Sequence, residues 1–457
     1  MRTLLTGKLA LSATKPGWPP KLVQQEVFQM KDCVLKMTST GATLIETLIG
    51  VSIAIGMLAA TLHIGTELQR KSSWEEEALT LHTLGTQMMQ TLEGHFLNAG
   101  HGFGSNVLLG HLQNAHFGTP YNNVEHRYAV DVFPCGQLCQ AAQNYGPYRN
   151  ISPEHSFDEI HTLAMDPHYT RSVIDRTPDT SAQNFKWMYI LERAYAHFEW
   201  KQGWTYAVAD KGGTWGCAGA GSIGKQDHQD TIEFSSMLAN YPCQGWSGEF
   251  WQKDNYREWR VGPLNGFAAR MRFDVLGPSL EFSRERYFPT VAGHGSGRFG
   301  STWEHPWYLW EWLIVSRSVL SLKAALGIPD PQNPHQVLWF PDTEKNHPYI
   351  ALCDETADPG SFTRCVEIVN HRFGGIDEEL ELNYRHALMR RVRAVRLSLV
   401  VQSQRANAQK VELDNNGAFV ALADGTLKNG RLTKKFERTL WPPNLQETKA
   451  LIEEESE

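Results

Sequence analysis

The strongest hydrophobic pattern in the chain is an uninterrupted apolar stretch over residues 42–65, in which Glu46 is the only formally charged side chain. Coiled as an α-helix at ~1.5 Å per residue, this stretch is long enough to cross the ~30 Å hydrocarbon core of a bilayer. It therefore predicts a transmembrane helix. A buried helix of a soluble protein is the alternative, but such a helix needs apolar neighbours on every side.

Downstream of the apolar stretch, residues 66–97 contain no proline and show a different pattern. Apolar side chains recur at steps of three and four residues, at Leu81, Leu84, Met88, Leu92 and Phe96. This spacing places them on one face of a helix. We expect one continuous helix over residues 43–97 whose second half packs on a globular head. The glycine-rich segment that ends at residue 104 predicts the stop.

The C-terminal region, residues 381–445, alternates apolar and polar positions as half-buried strands do. The clearest strand covers residues 390–404, and shorter ones are predicted at 419–422 and 434–440. Type I′ hairpin turns are predicted where two successive residues favour positive φ. The dipeptides concerned are Asn416-Gly417, Asp424-Gly425 and Asn429-Gly430. The region therefore predicts an antiparallel sheet that packs against the second half of the long helix.

In the middle of the chain, residues 105–380, eleven of the fifteen tryptophans lie between Trp187 and Trp312. This density predicts a large aromatic-rich insertion in the head. Mixed spacing and a following apolar run favour burial in a core for Trp303, Trp307, Trp310 and Trp312, and a ligand-binding aromatic face is the alternative. The fold class predicted from the four regions is α+β: a long N-terminal transmembrane and amphipathic helix packed on an antiparallel β-sheet head that contains the insertion.

The composition and motifs of the chain argue against several classes of function. A formal net charge of −7 gives no basic surplus for phosphate contacts, so no nucleic-acid partner is predicted. Residues 446–457 form an acidic tail, which we interpret as a solvated end. The chain contains no phosphate-binding loop, dinucleotide fingerprint or calcium loop, and its histidines at 155, 161 and 168 match no metal-site spacing. No catalytic residue, metal or cofactor is predicted, and we expect the protein not to be an enzyme.

The start of the apolar stretch carries the most specific motif. The run from Gly41 through Ala42 to Glu46, followed at once by the apolar helix, resembles the cleavage and methylation motif of type IV prepilins. The resemblance implies that a prepilin peptidase cuts after Gly41 and that Ala42 becomes the methylated amino terminus. Glu46 would then neutralise the amine of a neighbouring subunit and set the subunit register. The packing surface would include Leu44, Ile45, Leu48 and Ile49.

Two features depart from the family pattern. Ala42 stands where the family usually has phenylalanine, and residues 1–41 are long for a leader. A start at Met30 would give a shorter leader in which Lys31 and Lys36 lie before the helix. Because basic residues favour the cytoplasmic side, we expect a single-pass protein of the bacterial inner membrane with its C-terminal bulk in the periplasm.

An ordinary signal peptide would instead be cut after the apolar segment, near Ala59-Ala60-Thr61.

Both ends of the chain are similar to PilW-like minor pilins: the segment up to residue 104 and the predicted C-terminal strands. The resemblance implies a minor pilin that is incorporated in, or primes, a type IV pilus and ends in the fibre at the cell surface. Its partners would be major and minor pilins, the prepilin peptidase, the inner membrane and its pilus assembly platform. Three alternatives stay open: a pseudopilin of a type II secretion system, a pilus-displayed adhesin and a membrane-tethered enzyme.

The cysteines fit an oxidising compartment. Of seven cysteines, Cys33 precedes the proposed cleavage site, so the mature chain keeps an even number. Their order suggests three local disulfides: Cys135 with Cys139, Cys217 with Cys243, and Cys353 with Cys365. Six cysteines permit fifteen complete pairings, so this connectivity is one hypothesis among several. A metal site is the alternative, but the closest pair has three residues between the cysteines rather than two.

Overall fold

The structure of the chain is a computed structural model. It divides into two compact units, Met1–Glu75 and Glu76–Glu457, which are described separately below. The residues that the structure describes are 44–103, 128–134, 146–150, 158–179, 186–192, 205–209, 215–226, 229–235, 257, 259–274, 276–286, 312–353, 358–377, 383–423 and 426–445. The predicted leader, the acidic tail and parts of the predicted aromatic insertion lie outside these ranges.

The chain begins its described part with one long helix, α1, Leu44–Asn98. The helix is continuous because residues 44–98 contain no proline. It ends where predicted, at a turn in which Gly100 and Gly102 adopt φ of 75° and 85°. A side chain at Gly102 would also collide with Met165. The long N-terminal helix is thus confirmed, and its end follows from glycines that tolerate left-handed backbone.

The first sheet has ten strands, all paired antiparallel among the described residues. They are β1 Val130–Pro134, β2 Asp158–Met165, β3 Arg171–Asp179, β4 Lys186–Leu191, β5 Thr205–Ala209, β6 Trp215–Gln226, β7 Gln229–Ser235, β8 Arg260–Asp274, β9 Gly277–Arg286 and β10 Trp312–Ser316. The spatial order of one part is β1-β2-β8-β9-β10. The remaining strands, β3 to β7, are inserted in the chain between β2 and β8.

Strand β8 pairs with different strands along its length. Its first residues pair with both β3 and β5, so β8-β3-β4-β7-β6-β5 closes into a ring of six strands. Trp259, Tyr189 and Tyr206 are fully buried among the residues of this ring. Closure removes the free edges that an inserted sheet would otherwise expose. The later residues of β8 pair instead with β2 and β9.

The second sheet has four antiparallel strands in the order β12-β11-β13-β14. They are β11 Val319–Asp330, β12 Asn333–Phe340, β13 Ala394–Val411 and β14 Asn429–Leu440. Between β12 and β13 lie two helices, α2 Pro359–Phe373 and α3 Tyr384–Arg390. The sheet therefore takes two of its strands from the chain ahead of residue 381. The predicted strand at 390–404 begins four residues later than expected, because α3 extends to Arg390.

The predicted type I′ turns are wrong wherever the structure describes them. Gly417 has φ of 77°, but Asn416 does not have positive φ, and Asp414 closes the turn by accepting from the N–H groups of Asn416 and Ala418. Gly430 lies inside β14, where a side chain would meet the carbonyl oxygen of Asn407 opposite a bulge. Asp424-Gly425 lies outside the described residues. The short strand predicted at 419–422 is held by single bridges instead of a full ladder.

The core of the second unit forms where one face of α1 meets both sheets. The buried side chains of the helix include four of the five predicted ones, and Leu84 is half-buried against the same core. Phe436 of β14 lies so close to Gly85 that a Cβ there would be 2.2 Å from its ring. On the first sheet, Phe267 of β8 stacks on His95 with ring centroids 3.8 Å apart. The helix and the two antiparallel sheets give an α+β fold.

Cys353 and Cys365 form a disulfide and are both buried in this core. The bond joins the segment after β12 to helix α2 and is the third of the three predicted pairs. Cys135, Cys139 and Cys243 lie outside the described residues, and the side chain of Cys217 in β6 is likewise not described. Their pairing therefore stays a prediction.

Candidate functional site

The candidate site is the first part of α1, which lies in the first unit. Its apolar side chains are exposed all around the helix: Leu44, Leu48 and Ile55 are 77%, 59% and 61% accessible. Because successive residues turn by ~100°, the twelve exposed large apolar residues between Leu44 and Leu68 cover every face of the helix. No residue of the apolar window is buried within the structure. A helix of this kind needs an apolar environment on all sides.

The hydroxyl side chains of this segment donate hydrogen bonds to carbonyl oxygens of the same helix. The hydroxyl of Ser52 donates to the carbonyl oxygen of Leu48 over 2.8 Å, and that of Thr61 to Met57 over 2.7 Å. Thr47 donates in the same way to Leu44 over 3.1 Å. A hydroxyl bonded to its own helix needs no water, so it can enter hydrocarbon at low cost. Backbone and hydroxyl groups are therefore compatible with a lipid environment.

Glu46 is the one formal charge of the segment and lies in the first turn of α1. A carboxylate in the first turn is favoured by the partial positive charge of the helix N-terminus. Ala42 lies four residues upstream of it. Gly41 and Ala42 themselves lie outside the described residues.

The apolar segment ends at Glu67, where charged residues begin. Arg70 lies 3.8 Å from Glu67, and Lys71 lies 4.0 Å from Glu75. These exposed pairs contribute little to stability, but they mark where the helix becomes polar. From Leu44 to Thr66 the helix rises ~35 Å, which matches the thickness of a bilayer core. Among the described helices, α1 is long and apolar enough to span a membrane.

The predicted packing residues lie together on α1. Leu44 and Leu48 are four residues apart, as are Ile45 and Ile49, so the two pairs form adjacent rows on one side of the helix. All four side chains are more than half exposed. The structure therefore brings the predicted packing residues together, next to Glu46, without burying them in the chain itself.

No family model, curated protein or solved structure matches this chain. The membrane-spanning length of α1 and the α+β fold thus come from the structure, whereas the resemblance to prepilins is a feature of the sequence alone.

Strand β2, which lies within the segment whose histidines were considered above for metal binding, forms a structural junction. The carboxylate of Asp158 accepts from the N–H of Ala324 in β11 and from the hydroxyl of Tyr349, both over 2.6 Å. Asp158 thereby joins the first sheet to the second. Burial raises its pKa from 3.8 to about 7, although the two hydrogen bonds oppose the rise. Sequence reasoning missed this role because both partners lie far along the chain.

A buried ion pair lies on the same part of the first sheet. Arg385 of α3 donates to Asp131 of β1 over 2.6 Å, and both side chains are almost fully buried. Burial raises the pKa of Asp131, and the nearby charges of Arg385 and His161 oppose that rise. His161 in turn lies 2.7 Å from Glu159. Within the described ranges, no three acidic, histidine or cysteine side chains group as ligands for a metal ion.

Proposed function

We propose that the protein is a membrane-anchored minor pilin or pilus-assembly subunit. In this account it is cleaved after Gly41 by prepilin peptidase and incorporated in, or primes, a type IV pilus. One observation carries the proposal: the apolar helix that begins directly after the cleavage motif is exposed on every face and contains one carboxylate in its first turn. Such a helix needs an apolar partner that the chain itself does not supply among the described residues.

The same helix surface can serve two environments in succession. Before assembly, its apolar exterior and internally bonded hydroxyls suit the inner membrane. After assembly, the rows formed by Leu44, Ile45, Leu48 and Ile49 suit the helices of neighbouring pilins. Transfer from lipid to a helix bundle changes little in polarity, so the anchor can leave the membrane without exposing apolar surface to water.

Glu46 sets the axial register between neighbouring subunits. A carboxylate in hydrocarbon costs a few kcal/mol, and that cost falls when a cation lies beside it. Cleavage after Gly41 creates such a cation, the amine of Ala42, on each subunit. Pairing between the carboxylate of one subunit and the amine of the next fixes their axial offset. Subunits that are out of register lose this intersubunit pairing.

The test is a comparison of two charge-neutral variants in the native host. We expect Glu46→Gln to be inserted and cleaved normally but lost from sheared filaments and from complexes with other pilins, because the variant carries no charge to pair. The matched control is Glu67→Gln, which removes the next carboxylate along α1, outside the apolar segment. Incorporation of Glu46→Gln at the level of the control would contradict the proposal.

A further inference from the structure

Residues 349–353 form a short turn at the junction between the two sheets. The hydroxyl of Tyr349 donates to the carboxylate of Asp158 over 2.6 Å, and the same carboxylate accepts from the N–H of Ala324 in β11. The ladder between β11 and β12 covers residues 326–330 of β11. Ala324 lies beyond it, so Asp158 bonds to β11 where the ladder with β12 has ended. The turn thus helps to hold the first sheet on the second.

The same turn ends at the disulfide. The N–H of Leu352 donates to the carbonyl oxygen of Tyr349 over 3.0 Å. The next N–H, that of Cys353, donates to the carbonyl oxygen of Ile350 over 3.0 Å. The sulfur of Cys353 also lies 3.7 Å from the carbonyl oxygen of Tyr349. Tyr349 and Cys353 therefore belong to one hydrogen-bonded turn, so a displacement of the cysteine changes the position of the tyrosine.

Helix α2, which carries Cys365, has anchors of its own. Its N-terminus is capped by Asp358, whose carboxylate accepts from two N–H groups of the first turn. Near its C-terminus, Arg372 donates over 2.8 Å to Gln332, which lies in the turn between β11 and β12. Because both ends of the helix are held, Cys365 is a fixed point. The disulfide connects the turn at the junction to this fixed point.

The hydroxyl of Tyr349 matters to Asp158 because the carboxyl group is buried, and a buried carboxylate is costly without hydrogen bonds. Burial raises the pKa of Asp158 to about 7. The hydrogen bond from Tyr349 opposes this rise most strongly, followed by the N–H of Ala324 and the charge of Lys323. Loss of the tyrosine hydroxyl would therefore move the pKa of Asp158 still higher.

We propose that the Cys353–Cys365 disulfide is a redox-sensitive lock on this junction, which holds the Tyr349 hydroxyl on Asp158 while it is closed and releases that hydroxyl when it is reduced. A low-molecular-weight thiol opens the lock by thiol–disulfide exchange. The S–S bond breaks, two electrons and two protons pass from two reductant thiols to the cysteine sulfurs, and the reductant leaves as its own disulfide. Coupling of this kind is reciprocal, so loss of the Tyr349 hydroxyl makes the disulfide easier to reduce.

The first test compares pH profiles of stability, measured by urea titrations of the full-length protein in detergent. The variants are Tyr349→Phe and the double variant Cys353→Ala with Cys365→Ala. We expect the decline of stability with pH to extend to higher pH in both, and to the same extent, because a higher pKa of Asp158 keeps its extra proton in the folded state for longer.

A crosslink that only restricts the unfolded chain would lower stability equally at every pH. A profile of the double cysteine variant that is parallel to that of the intact protein would therefore overturn the proposal. Complete loss of the slope, as expected for Asp158→Asn, would also overturn it, since the disulfide would then keep Asp158 buried and not position Tyr349.

A second measurement does not require the double cysteine variant to fold. The protein is equilibrated with mixtures of reduced and oxidised glutathione, and mass spectrometry after differential alkylation gives the reduced fraction at Cys353 and Cys365. We expect Tyr349→Phe to shift this equilibrium toward the thiols by about threefold to tenfold, which corresponds to one hydrogen bond.

The matched control for this exchange is Tyr189→Phe. It removes a buried tyrosine hydroxyl from β4, which pairs with β3 and β7 in the ring of six strands. We expect this variant to leave the reduced fraction at Cys353 and Cys365 unchanged. Equal shifts for the two tyrosine variants, or no shift for Tyr349→Phe, would overturn the proposal.

Discussion

The two halves of α1 share one continuous backbone and differ in what surrounds them. Between Leu44 and Leu68 the apolar side chains point in every direction and are exposed. Between Leu81 and Phe96 they follow one face, and that face is buried in the head. Both halves are therefore helical, and the arrangement of their apolar residues determines what each half packs against. An amphipathic half finds its partner in its own chain, whereas an apolar half needs lipid or other subunits.

The largest expected effect comes from shortening an apolar side chain in each half. Leu92 is fully buried, so Leu92→Ala should lower the free energy of unfolding of the head by ~2–5 kcal/mol through the cavity it leaves. Leu48→Ala should leave that free energy unchanged. Urea unfolding in detergent, followed by tryptophan fluorescence, measures both variants. Equal losses of stability would mean that the two halves do not differ as described.

A charge introduced in each half of α1 tests membrane insertion, which we expect to depend on the first half only. An aspartate at the centre of a spanning helix costs ~2.5–3.5 kcal/mol, so Ile55→Asp should lower the inserted-to-uninserted ratio on the order of a hundredfold. Leu79→Asp is the matched control, because Leu79 is 67% exposed in the amphipathic half. Carbonate extraction of membranes gives the ratio. A similar loss of insertion for both variants would contradict membrane residence of the first half alone.

Two glycines in the second half of α1 differ in how closely other residues approach them. A methyl group at Gly85 would overlap the Phe436 ring, so Gly85→Ala should destabilise the head by ~1–3 kcal/mol. Nothing lies within 4 Å of a Cβ at Gly94, so Gly94→Ala should stabilise the helix by ~1 kcal/mol. Thermal unfolding of both variants provides the comparison. Stabilisation by Gly85→Ala would show that β14 does not lie against α1.

The last prediction concerns pH. Burial holds the pKa of Asp158 at about 7 in the fold against 3.8 ordinarily, so between those values the folded state binds more protons than the unfolded chain. The contribution of Asp158 is therefore complete below about pH 4 and declines as pH rises toward 7, by at most ~1.4 kcal/mol per pH unit. Asp158→Asn should remove this slope in a series of urea titrations. An unchanged slope would exclude Asp158 as its source.

Much of α1 can be predicted from the sequence because its signals are local. The apolar stretch, the missing prolines and the glycine-rich stop locate the helix, and the three-and-four spacing identifies its buried face. The closed ring could not be predicted, since it depends on pairing of β8 with both β3 and β5 across long separations. The same holds for Asp158, whose partners Ala324 and Tyr349 are remote in sequence. The Asn-Gly turns failed because Asp414 and a bulge supplied local hydrogen bonds that favour other conformations.

The most direct test of the central claim is the intact mass and N-terminal sequence of the membrane-extracted protein, from cells with and without prepilin peptidase. The account predicts a chain that begins at Ala42, with or without one added methyl group, only when the peptidase is present. A chain that retains Gly41 in peptidase-containing cells, or one that is cut near Thr61, would contradict it.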